Sequence, residues 1–224
     1  VMQGFQAEGL QYNVKVFHER GLAPPTSWFD LWRPELKGRI ALYAGTNAYT
    51  QYFIPLLARI TGGSERNVDP AFARMKTLVP SVITFLTAPA ELDNLFKQNE
   101  AWLGYNGSSR TYELAAAGFP VDFVYPKEGA ALFGNWFDVV KGAPHPEAAQ
   151  EFVNYMIGEA PQALMAKHIF FGPVNKKTRL EPDVAKYVPY GPELVKGLIQ
   201  LDIAAMNEHV GQWVERWNKE IERK

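Results

Sequence analysis

Two apolar runs split by a turn, with a proline-opened helix behind them, constrain this chain more than any other feature. The first run ends at Val124-Tyr125-Pro126-Lys127-Glu128-Gly129. The second passes through Asn135-Trp136-Phe137-Asp138-Val139-Val140, and Gly142-Ala143-Pro144-His145-Pro146-Glu147-Ala148-Ala149 then opens a helix. Pro146 takes a first-turn position, where its missing N–H is tolerated. Glu147 favours the positive end of the helix.

The rest of the chain alternates between the two periodicities. Leu10 to Phe17 reads as a strand running into a short helix. Thr26 or Ser27 caps a short helix around Trp28 to Trp32. Gly38 to Tyr43 reads as a buried strand, followed by an apolar helix from about Tyr49 to Ile60 with Pro55 inside it. Asp69-Pro70 opens another helix, on which Phe72, Met75 and Leu78 recur at helical spacing. Val82 to Phe85 is a strand, Ala90 to Phe96 a helix and Ala101 to Tyr105 a strand. Asn106-Gly107-Ser108-Ser109 is expected to turn and cap a helix reaching about Ala117. Val121 to Tyr125 is the next strand. Helices are expected over 146–157, 160–168, 192–205 and 209–222. Strands interleaved with helices argue for an α/β fold.

Composition removes several function classes. The 224 residues carry a formal charge of −1, which gives no electrostatic reason to expect nucleic acid or an anionic membrane as a partner. The absence of cysteine excludes disulfides, thiolate zinc sites and cysteine nucleophiles. No apolar run approaches the ~20 residues that span a bilayer. Val1-Met2-Gln3-Gly4 lacks the charged start and apolar middle of a secretory leader, so a processed chain or a piece of a longer one is expected. His18, His145, His168 and His209 have no metal-ligand spacing. Tyr49 and Tyr52 lack the nearby carboxylate pair an iron site would need, and no metal or cofactor is implied. Thr61-Gly62-Gly63-Ser64 lacks the lysine of a phosphate loop.

The turn between the two runs resembles the hinge of bacterial periplasmic solute-binding proteins of the spermidine/putrescine-receptor type (extracellular solute-binding family 1). Other segments resemble that family in the same order. They are Gly9 to Phe17, Gly21 to Trp32, Pro34 to Ile40, Asn106-Gly107-Ser108 and Trp213-Val214-Glu215-Arg216-Trp217. The resemblance implies a two-lobed fold of the type II periplasmic-binding-protein class. Residues 1–8 would be the hinge and end of lobe one, and 9–130 lobe two. Residues 131–180 would be a lobe-one segment, and 181–224 helices returning to lobe two. Family members carry roughly a hundred further residues before the first crossover, so lobe one is expected to be partial. Apolar helix surface left over would be covered by further chain or by a second copy.

The resemblance further implies a non-enzymatic role in an ABC importer, outside the cytoplasmic membrane, with a small solute and the membrane permease as partners. A sensor subunit for the same solute is the alternative. An enzyme on a two-lobed scaffold of the porphobilinogen deaminase type would need a cofactor-bearing cysteine.

Solute is expected between the lobes, at strand ends and helix starts. The candidate contacts fall in four places. Thr46, Asn47 and Tyr49 stand at a helix start suited to an anion, with ordinary capping as the alternative. Tyr105, Asn106, Ser108 and Arg110 surround the next strand end, with Tyr105 expected as a cleft wall and Arg110 as a two-pronged clamp or, alternatively, a solvated surface arginine. Phe133, Asn135 and Trp136 lie at the hinge, where the polyamine receptors place an aromatic residue and an Asp. The fourth place is Phe171, where the family often sets an aromatic residue against the ligand, with a plain core role as the alternative. Asn135 carries no charge, and the acids those receptors place after the strand ending near Tyr43 are missing. A polyamine buried without carboxylate partners costs several kcal/mol per ion. An amino-acid-like anion or zwitterion is therefore expected over a polyamine.

Overall fold

In the computed structural model, which describes residues 1–222, a mixed six-stranded sheet lies between helices. Its organising element is β1 (Met2–Asn13), a strand of 12 residues that begins well before the expected start at Leu10. Gln6-Ala7-Glu8-Gly9 shows little apolar alternation, but its backbone is paired throughout. Met2 to Glu8 pair with β6 (Ala131–Trp136), and Glu8 to Tyr12 with β4 (Leu103–Gly107). Leu10 to Asn13 pair with β5 (Val121–Val124), and all three pairings are antiparallel.

Leu10 faces both Tyr105 and Val124, so β4 and β5 take opposite edges of β1. Glu8 faces both Gly107 and Ala131, which puts β6 on the same edge as β5. The two apolar runs are thus one return strand, interrupted by the Pro126–Gly129 turn. Beyond Glu8, β1 and β6 continue as a two-stranded ribbon. The main sheet is completed by β2 (Ile40–Tyr43) and β3 (Val82–Leu86), in the order β3-β2-β4-β1-β5.

The helices start where local chemistry supplies a partner for their free N–H groups. Asn13 accepts from Val16 N to open α1 (Val14–Glu19). Ser27 caps a 3₁₀ turn over Trp28–Trp32, and Asp30 reaches back to Ser27 N. Asn47 opens α2 (Ala48–Ile60), which carries Pro55, and α3 (Asp69–Leu78) has proline in its first turn. In α4 (Pro89–Lys97), Glu91 accepts from Thr87 N at 2.7 Å and Ala88 N at 2.9 Å. Helix α5 (Ser108–Ala116) follows β4 directly, with no turn between, because the strand runs on through Asn106 and Gly107. The main core gathers Trp28, Tyr43, Phe53, Phe72, Phe96, Tyr105 and Trp217, all shielded from water.

Past β6 come α6 (Pro146–Met156), α7 (Glu159–Ile169), α8 (Pro182–Ala185), α9 (Pro192–Lys196) and α10 (Ile203–Trp217). The helix expected over 192–205 is broken. Ile199 joins the edge of β6, donating to Ala130 O at 2.8 Å and accepting from Leu132 N at 2.9 Å. The sheet edge supplies these two bonds and buries Leu198 and Leu201, which outweighs a continuous helix through Gly197. Asp202 then caps α10, which starts earlier than His209 and ends in a π-helical turn over Asn218–Glu222. Trp217 packs against Phe72 and Phe85, and its indole N–H donates to Glu222 at 2.7 Å. Among the described residues no helix is long and apolar enough to cross a membrane.

Candidate functional site

Side chains alternate across a strand, so register shows which of them share a face. Gln6 pairs with Phe133, Gly4 with Asn135, and Glu8 with both Ala131 and Gly107. These residues form one face of the hinge ribbon. It is the face toward the start of α2, because Gln6 Nε2 donates to the Tyr49 hydroxyl at 3.3 Å. The Phe133 ring lies 5.4 Å from Tyr49 and 4.5 Å from Tyr52, centroid to centroid. Tyr49 in turn stacks on Tyr43 at 5.2 Å. At the far end, Phe171 packs over Gly4, where an added Cβ would sit 3.1 Å from its ring.

Gly107 lies against the same side chains. A Cβ there would stand 2.1 Å from Gln6 Oε1 and 2.7 Å from the Tyr49 hydroxyl. The Gln6 amide oxygen also accepts from the Ser109 hydroxyl. Burial pushes the Tyr49 phenol up to about 12, so it is a neutral donor and acceptor at physiological pH.

Glu8 is the unusual member of this face. It is 0% exposed, and neither carboxyl oxygen has a hydrogen-bond partner. Burial raises its pKa well above the ordinary carboxylate value, which favours the neutral form. Asn135 Nδ2, on the same face, is also buried and unpartnered. Sequence reasoning passed over Glu8, because a glutamate between Ala7 and Gly9 gives no apolar rhythm to mark a strand. Its only signal is that it is the one charged residue within Met2–Asn13. This face of β1 and β6 therefore contains one buried acid, Glu8, which the sequence reading did not single out.

The other expected contacts divide sharply. Tyr105 is a core residue rather than a cleft wall: it is 0% exposed, shares a hydrogen bond with Thr50 and stacks on Phe53 at 4.4 Å. Its register opposite Leu10 turns the ring into the main core. Asn106 is also buried; it donates to Gln11 at 2.8 Å and accepts from the Tyr43 hydroxyl at 3.2 Å. The Ser108 hydroxyl accepts from Ala7 N at 3.2 Å, tying α5 to β1. Arg110 is held by Asp93 and by Glu113, the latter at 3.0 Å, which leaves its guanidinium already clamped.

Asn47 caps α2 through Tyr49 N and donates to Thr87 O at 2.9 Å. Thr46 is exposed, and its carbonyl accepts from Gln51. Trp136 stands at the ribbon end, 56% exposed. The structure thus brings Tyr49, Phe133, Asn135 and Phe171 to one face together with Gln6 and Glu8, and leaves Thr46 and Asn47 at the adjoining helix start. Two other concavities share no residue with this face. One of about 250 Å³ lies between Lys15, Arg39 and Trp102, and one of about 310 Å³ between Val1, Phe137 and Val153.

Residues 4–190 match the family model of bacterial extracellular solute-binding proteins, and the chain belongs to that family. It is 28% identical over 202 residues to the spermidine/putrescine-binding periplasmic protein of Escherichia coli, covering 85% of this chain and 56% of that protein. It is 24% identical over 204 residues to the gamma-aminobutyric acid-binding protein of Pseudomonas aeruginosa, covering 87% of this chain and 57% of that protein. The chain therefore spans little more than half the length of these curated relatives. Its fold matches the periplasmic binding protein AfuA of Actinobacillus pleuropneumoniae, solved with fructose-6-phosphate bound. That match has a TM-score of 0.80 at 20% identity, over 100% of this chain and 68% of that one.

Proposed function

We propose that this chain is the solute-binding component of a bacterial ABC importer, working in the periplasm or tethered outside a single membrane. It captures a small polar solute on the hinge face, and its closed, liganded form is presented to the permease. The observation that carries this reading is the cluster of Gln6, Glu8, Tyr49, Phe133 and Asn135, facing the start of α2 in a chain of this family. Residues 9–130 act as lobe two and 131–180 as a lobe-one segment. Strand β1 and the return strand are the crossovers about which closure turns. The chemistry is binding alone.

The preferred solute class is a zwitterion of the ω-amino-acid kind. A single acid on the face can balance one ammonium, whereas a polyamine buries at least two. The relative named for gamma-aminobutyric acid supports this class. The relatives named for spermidine and putrescine favour a polyamine as the second reading. Isothermal titration calorimetry with 4-aminobutyrate, putrescine and fructose 6-phosphate tests the choice. Saturable heat from 4-aminobutyrate is expected. Binding of putrescine without 4-aminobutyrate overturns the solute class, and heat from none of the three overturns the receptor reading.

A further inference from the structure

Glu8 is a carboxyl with no protein partner, built into the middle of the hinge. Both residues opposite it are small, Gly107 on one side and Ala131 on the other, so neither supplies a polar group. Tyr105 of β4 lies two residues from Gly107, the Tyr49 hydroxyl of α2 stands against Gly107 and Gln6 on the same face, and the Tyr52 ring lies 4.5 Å from Phe133. An acid that served only packing would be replaced at no loss by an apolar side chain, since an unpaired buried polar group is destabilising. Aromatic faces beside a carboxyl form a surface suited to a cationic nitrogen, through charge and through the ring quadrupoles.

Resting on the solute-receptor reading above, we propose that Glu8 is the counter-charge for a cationic amine of the solute. The rings of Tyr49, Tyr52 and Phe133 enclose the amine's other sides. Phe133 and Tyr52 are only partly buried, so they form the way in. Glu8 and Gly4, the latter paired with Asn135, lie four residues apart along β1, about 13 Å by strand geometry. With side chains reaching inward from both ends, that span suits a short solute whose far end meets the Asn135 amide.

Binding an ammonium requires Glu8 to ionise, so a proton leaves as the solute enters. Of the other groups packed around this point, the three tyrosines stay neutral, and Arg110 of α5 is already paired with Glu113 and Asp93. Strand β6 contributes no titratable side chain.

The test is calorimetry on the wild type and on Glu8→Gln, with 4-aminobutyrate, putrescine and butyrate as probes, repeated at neutral pH in two buffers of different ionisation enthalpy. The expected result is that an amine probe binds the wild type with release of about one proton. The near-isosteric Glu8→Gln is expected to weaken that probe by on the order of 10- to 100-fold and to abolish the proton release. Circular dichroism checks that the variant is folded, and Glu8→Asp, which keeps the charge, should recover part of the affinity. Equal affinity in wild type and Glu8→Gln, or amine binding without proton release, overturns the role of Glu8 and leaves the receptor reading standing. Binding of butyrate but neither amine does the same. Failure of every probe on the folded wild type overturns both.

Discussion

The sheet region from Gly9 to Ala130 and the helices α6 and α7 cover apolar surface in opposite ways. The first encloses many of its large side chains, with Trp28, Phe53, Phe72 and Phe96 shut away from water. The second leaves them out: α6 buries no residue, and Phe152, Tyr155 and Leu164 are 54%, 65% and 55% exposed. What holds α7 is mainly polar. Gln162 is fully buried, donates to Gln3 O at 2.7 Å and Met156 O at 2.9 Å, and accepts from Val174 N at 2.7 Å. Asn175 adds a bond to Ile157 O at 2.8 Å. One region is stabilised by its core, the other by a side-chain tether to β1 and by the small buried set Pro161, Met165 and Ala166 of α7.

The largest expected effect breaks the first region. Trp217→Ala removes an indole that plugs the space between Gly45, Phe72 and Phe85, and should cost about 3–5 kcal/mol in urea denaturation. If that variant instead loosens only 146–175, the two regions are not distinct in the way described. Gln162→Ala makes the converse cut. It strands Val174 N and should cost roughly 1–3 kcal/mol. Faster hydrogen exchange should appear across 146–175 while β2 and β4 stay protected; uniform acceleration would contradict the tether.

Glu8 gives a smaller effect with a defined sign. Burial raises its pKa in the fold, so the folded chain holds a proton that the unfolded chain releases above its ordinary pKa near 4.5. Stability is therefore highest below that value and falls as pH rises toward the raised folded value, by up to about 1.4 kcal/mol per pH unit. Glu8→Gln should flatten this slope in denaturation curves measured across the window. Smallest of all is Glu91, at the start of α4. Bonds from the backbone of Ala88 and then Thr87 lower its pKa, so its contribution is present above the unfolded value and is lost as pH falls through the folded one. Glu91→Ala should lower the thermal midpoint at neutral pH by less than any change above, and not at all in acid.

Much of the fold was legible because proline, glycine and apolar rhythm act locally. The sequence reading found β2, α3, α6 and α7 to within a few residues. What it missed was decided by distant partners. The first half of β1 is a strand because β6 lies beside it, and the break before α10 exists because Ile199 finds that same edge. The site was legible only in part for the same reason. Tyr105 reads as a binding aromatic until its register opposite Leu10 turns it into the core. Arg110 reads as a free clamp until Asp93, far away in sequence, is seen to hold it. Asn47 satisfies the capping reading that stood beside the functional one. Glu8 gave only the weak signal of a lone charge within Met2–Asn13, and its burial without a partner is visible only in the folded chain.

A native mass spectrum of the protein as purified, before and after addition of 4-aminobutyrate, tests the account most directly. The account predicts a species carrying one small molecule of amine-bearing composition, present in the wild type and depleted in Glu8→Gln. A mass that stays bare in both proteins, whatever small amine is added, would contradict the claim that the hinge face is a solute site.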